Sequence, residues 1–124
     1  NNAIKAEGKI ICASRGWFYD KSTAPQDIDY KKIVDREVIR IKLGIDEARK
    51  LGDEEILMFL HFPPALGDEA CPEIIDLLNK EGIKRVFYGH IHGKYDIPRT
   101  EERYGMKMTI VSADYLNFIP LLVR

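Results

Sequence analysis

Two linked stretches decide how the chain folds: Ile56-Leu57-Met58-Phe59-Leu60-His61-Phe62-Pro63-Pro64, and Arg85-Val86-Phe87-Tyr88-Gly89-His90-Ile91-His92-Gly93. Ile56 to Leu60 is continuously apolar, as expected of a strand covered on both faces, and the prolines after His61 prevent its continuation. Pro72 can open a helix at its first position, where a missing N–H costs nothing. Ile74, Ile75, Leu77 and Leu78 line that helix until Gly82 stops it. Arg85 to Tyr88 reads as a second short strand. Strand, helix, strand in this order predicts two parallel strands joined by a right-handed crossover. Both strands then end on one edge, the edge where open α/β sheets bind ligands, and His61 and His90 follow the two strand ends. Adjacent strands lie about 4.8 Å apart, which lets two imidazoles meet on one ion. His92, two residues beyond His90, can reach the same ion or a second one beside it.

Working outward, Lys9 to Ala13 reads as a strand that ends at Ser14-Arg15-Gly16-Trp17, and a polar segment, Asp20 to Asp29, follows. From Tyr30 to Leu51, Val34, Val38, Ile41, Ile45 and Ala48 recur at spacings of four and three. This predicts an amphipathic helix whose charges form a solvated face, with Gly52 just past its end. Beyond the histidines, Tyr95 to Pro98, a charged tip around Thr100 to Arg103, Lys107 to Ser112 and Ile119 to Val123 are expected to form a closing antiparallel set. No internal repeat, low-complexity segment or interdomain linker interrupts the pattern. The reading is one α/β domain over residues 1–124.

A chain of 124 residues that is 45% apolar can build one ordinary core and not two. Its 19 basic and 20 acidic residues nearly cancel to a formal charge of -1, so no electrostatic footprint for nucleic acid or an anionic membrane is expected. No apolar run approaches the roughly 20 residues that cross a bilayer, and the start lacks the core of a signal peptide. Cys12 and Cys71 lie far apart without CxxC spacing, which fits a reduced, cytoplasmic protein and leaves a tertiary pair open.

All three histidines sit in the two opening stretches. Neutral imidazole is the commonest side-chain ligand for transition metals, and a His-x-His pair between glycines can present two rings without backbone obstruction. Plainer readings exist: His61 can cap a buried strand, and Gly89 to Gly93 can be only a turn. Their joint placement at parallel strand ends favours ligands. Arg15 suits phosphate binding because a guanidinium grips two oxygens, although a surface or structural salt link beside Trp17 is the favoured reading. Asp114 reads as a strand end, and Tyr115, Phe118 and Leu121 to Val123 as core. The cysteines receive no role.

At this point the residues carry a resemblance. A strand ending in His-x-Pro-Pro, an amphipathic helix and a strand ending in Gly-His-x-His-Gly resembles the C-terminal half of calcineurin-like metallophosphoesterases. The chain is most similar to bacterial predicted phosphohydrolases of that family, which also carry elements like Ser14 to Trp17 and Ser112 to Tyr115. The resemblance implies a four-layer α/β/β/α sandwich in which two mixed sheets face each other between helices. It also implies that His61 and His90 bind one metal and His92 another. Two divalent ions of that kind clamp a phosphate ester and acidify a water for in-line attack. Imidazole donors favour manganese, iron, zinc, cobalt or nickel over magnesium.

Several elements of the family pattern have no counterpart: the Asp-x-His, the Gly-Asp, the Gly-Asn-His and the histidine that protonates the leaving group. The chain is therefore expected to be a C-terminal fragment of a phosphoesterase, inactive alone, with exposed sheet edges that favour a homodimer. The competing expectation is a non-catalytic metal-binding or scaffolding module of the same fold.

Overall fold

The structure, a computed structural model, describes residues 2–17 and 29–124; the polar segment Asp20 to Asp29 lies outside the described residues apart from Asp29. Among the described residues the chain forms a mixed α/β fold with two helices, α1 (Tyr30–Leu51) and α2 (Pro72–Lys80), on a six-stranded sheet. The sheet strands are β1 (Asn2–Ala6), β2 (Lys9–Ser14), β3 (Ile56–Leu60), β6 (Arg85–Tyr88), β7 (Thr100–Arg103) and β8 (Met106–Ile110). A two-stranded ribbon, β4 (Ala65–Leu66) with β5 (Glu69–Ala70), lies between β3 and α2 in the chain. The sheet order is β1-β2-β3-β6-β8-β7. The four inner strands run parallel, and β1 and β7 close the edges antiparallel. No described helix is long and apolar enough to cross a membrane.

The helix α1 spans the predicted residues. Asp29 caps it by accepting a bond from the Lys32 backbone N–H at 3.1 Å, and Arg49 and Lys50 stand at its C-terminal, electronegative end. Val34, Ile41, Ile45 and Ala48 bury into one cluster with Ile74, Ile75 and Leu78 of α2 and with Ile10, Cys12, Met58, Leu60, Val86, Tyr88, Met108 and Ile110 of the sheet. Alternate strand residues therefore meet both helices on one face. The opposite face carries Leu57, Phe59 and Phe87, whose two phenyl rings stack at 4.7 Å. The C-terminal residues Leu121 to Arg124 pass beside Phe87 and Thr109, and the Arg124 carbonyl accepts a bond from Arg85.

The expected closing antiparallel set is corrected in three respects. Thr100 to Arg103 is a strand rather than a charged tip; Tyr95 to Pro98 and Ile119 to Val123 lie in no strand; and β8 pairs with β6 in parallel. The physical reason is the two-residue turn Tyr104-Gly105, both at positive φ (53° and 76°), which reverses the chain just after the segment read as a tip. The edge of β8 away from β7 then remains open for β6. A matching turn at Glu7-Gly8 (φ 49° and 74°) folds β1 onto β2. The charges of α1 are not all on a solvated face either, since Glu37 is buried. Tyr115 packs on the core, whereas Phe118 and Leu122 are largely exposed, contrary to their reading as core.

Candidate functional site

Register places the site. Ser14 pairs with Leu60, Leu60 with Tyr88, and Tyr88 with Ile110, so the four parallel strands end in line. Arg15, His61, His90 and Asp114 follow those ends along one edge, where the unpaired termini of parallel strands leave room for a ligand. Backbone bonds stitch the exits together. The Ser14 carbonyl accepts from His61, the Arg15 carbonyl from Phe62, and the Leu60 and His61 carbonyls from Gly89. The loops after β2, β3 and β6 thus form one unit.

His61 and His90 come together, with ring centroids 5.2 Å apart and planes at 71°. Both are solvent-accessible rather than sunk in dry core. A ring nitrogen about 2.1 Å from an ion puts the ring centroid about 3.2 Å away, and two such rings at about 109° have centroids about 5.2 Å apart. The observed spacing therefore fits two ligands of one tetrahedral ion. Partial burial, and then the neighbouring His61 and His92, hold the His90 imidazole below its usual pKa, which favours the neutral, ligating form. His90 itself adopts φ 66°, a left-handed conformation that costs a non-glycine residue energy, while its flanking Gly93 does the same at φ 73°.

His92 does not join that ring contact. Its Nδ1 lies 2.8 Å from Asp114 Oδ1, while Asp114 Oδ2 accepts from the Gly93 backbone N–H at 2.9 Å and from the Tyr95 hydroxyl at 3.2 Å. The Gly93 N–H, then the His92 ring and the Tyr95 hydroxyl, lower the Asp114 carboxyl to about 2. An ionised carboxylate only accepts, so Nδ1 carries the proton and Nε2 is the ring atom that faces a ligand. Asp114 lies beyond β8 in a turn, which corrects its reading as a strand end. Among the described residues, no group of three or more His, Cys, Asp and Glu side chains is gathered tightly enough to enclose an ion.

Arg15 reaches the histidines through an aromatic ring. Its guanidinium lies over Trp17 (5.0 Å) and Phe62 (5.4 Å), and Phe62 in turn contacts the His90 ring at 4.5 Å and the His61 ring at 4.7 Å. The buried Glu37 of α1 fixes this loop, since its Oε1 accepts from the Ser14 hydroxyl at 2.5 Å and the Gly16 N–H at 2.8 Å. Glu37 shares the helical stripe of Val34 and Ile41, and a charge in an apolar stripe is the sequence signal that marks it. Cys12 and Cys71 are buried free thiols, and burial pushes Cys71 up to about 11, away from nucleophilic use. No family model, curated protein or solved structure matches the chain.

Proposed function

We propose that the chain is part of a metal-dependent phosphoesterase of the calcineurin-like type and contributes His61, His90 and His92 to a dinuclear centre that acts on a phosphate ester. The observation that carries this reading is the His61 and His90 pair, 5.2 Å apart at the ends of two paired parallel strands. The anchoring of His92 by Asp114 supports it, because a carboxylate on one ring nitrogen raises the basicity of the other. On this reading the helical layer and sheet are two of four layers, and a second sheet covers the face that bears Leu57, Phe59 and Phe87. Exposed Ile4, Phe118, Ile119 and Leu122 favour association with another chain.

Bound divalent ions of the manganese, iron, cobalt, nickel or zinc class would supply Lewis-acid polarisation of the phosphate oxygens and acidification of the attacking water. The residues of this chain hold and orient. His61 and His90 offer lone pairs from neighbouring strand ends, and Arg15, resting over two adjacent aromatic rings, would grip a phosphoryl oxygen. Three imidazoles do not fill the coordination of two ions, and no histidine remains to protonate a leaving group. The reading assigns those groups to polypeptide outside residues 1–124.

Calorimetric titration with zinc and manganese, together with para-nitrophenyl phosphate turnover, tests it. The expected result is metal binding that depends on His61 and His90, with little or no turnover by residues 1–124 alone. Robust turnover by this chain alone overturns the assignment of missing ligands, and absence of metal binding overturns the reading itself.

A further inference from the structure

A cavity lies between the loop after β2 and α1. It has a volume of about 160 Å³ and is lined by Arg15, Gly16 and Trp17 of the loop after β2 and by Ile33, Arg36, Glu37 and Arg40 of α1. That is room for about five waters at liquid density and about half the volume of the smallest pockets that hold drug-sized ligands. The space suits a small ion rather than an extended organic group.

Its charge selects the sign. Three guanidiniums line the cavity against one carboxylate, and that carboxylate is already engaged: Oε1 by Ser14 and Gly16, Oε2 facing Arg40 at 3.7 Å. Among the described residues Arg15 and Arg36 have no ion-pair partner. Trp17, on the same wall, keeps a buried indole N–H with no acceptor among the described residues. Guanidiniums stay charged at every accessible pH, so the excess positive charge along this wall attracts an anion. The aromatic contacts of Arg15 and the Glu37 clamp hold the loop in place before a ligand arrives, which lowers the ordering cost of binding.

We propose that this cavity is an oxyanion site that takes a tetrahedral phosphoryl group, either free phosphate or the phosphoryl end of a small ligand, between Arg15, Arg36 and Arg40. It shares Arg15 with the proposed phosphoesterase site but contains no imidazole and does not depend on metal chemistry. The test is a titration of the chain with inorganic phosphate in the presence of a chelator, followed through the arginine Nε–Hε resonances at constant ionic strength. A saturable shift of Arg15 and Arg36 is expected. Arg36→Gln, on an exposed helix position, should weaken binding about tenfold, the loss of one charge-assisted bond.

Glycerol phosphate distinguishes the two sources. Comparable affinity identifies a phosphoryl end, and rejection identifies free phosphate. If chloride at equal ionic strength produces the same shifts, if no saturation occurs, or if Arg36→Gln and Arg40→Gln both bind like the parent chain, the site does not exist. Because metal is chelated throughout, that failure leaves the metal reading intact, whereas loss of zinc binding with phosphate binding retained overturns the metal reading alone.

Discussion

At the residue scale, two side chains carry the site's chemistry in ways their identities alone do not announce. His90 pairs a ligand's ring with a backbone at φ 66°. Replacing it separates the two roles: His90→Ala and His90→Gly should both remove metal binding, but the glycine variant should be more stable by about 1 kcal/mol because it enters the left-handed region freely. Thermal unfolding of the two variants without metal checks this, and equal melting temperatures would show that no strain is stored there. Asp114 acts through His92. Asp114→Asn keeps an acceptor for the Gly93 N–H but loses the charge on the ring, and zinc affinity should fall 10- to 100-fold, the usual range for an orienting carboxylate, with an unchanged unfolding profile. Unchanged affinity would reduce Asp114 to a turn residue.

At the element scale, the loop after β2 and the end of β3 are held at one separation by close contact. A Cβ on Gly16 would meet the Phe62 carbonyl at 2.8 Å and Leu60 Cβ at 3.2 Å, and its φ of +70° disfavours any side chain. Gly16→Ala should cost roughly 1–3 kcal/mol in denaturant unfolding; a neutral outcome would mean that the two loops are free to separate. At the opposite end of the strands, Arg85 donates twice to Glu55, Lys9 adds a third bond, and the Glu55 carboxyl is lowered to about 2. The folded pKa lies below the unfolded one. The pair therefore stabilises the fold above the ordinary carboxylate range, and that stability drains away as pH falls from about 4.5 towards about 2. Because the group is partly solvated, the contribution is about 1 kcal/mol, and Glu55→Gln should flatten this part of the stability profile. An unaltered profile would assign the acid sensitivity elsewhere.

At the scale of the whole molecule, α1 and the β3-α2-β6 crossover were legible, whereas the parallel places of β2 and β8 and the turns that make the edge strands were not. The apolar runs Ile56 to Leu60 and Val86 to Tyr88 and the 3.6-residue stripe of α1 are local signals, and each element formed where its pattern stands. The edge strands depended on the turns Glu7-Gly8 and Tyr104-Gly105, whose first residues are not the asparagine or aspartate that usually announces such a reversal. Thr100 to Arg103 is too charged to read as a strand, yet an exposed edge tolerates charge and is protected by it. His61 and His90 were legible because each follows a strong strand. Glu37 and Asp114 were not, because their partners Gly16 and His92 lie 21 and 22 residues away and meet them only in the folded chain.

The central claim is that neighbouring strand ends present His61 and His90 to one ion. X-ray absorption at the zinc edge, on the chain loaded with one equivalent of zinc, reads the ligands directly. The account predicts imidazole scattering from at least two histidines, with nitrogen at about 2.0–2.1 Å, falling when either His61 or His90 is changed to alanine. A spectrum without imidazole scattering, or one unaffected by both substitutions, would contradict it.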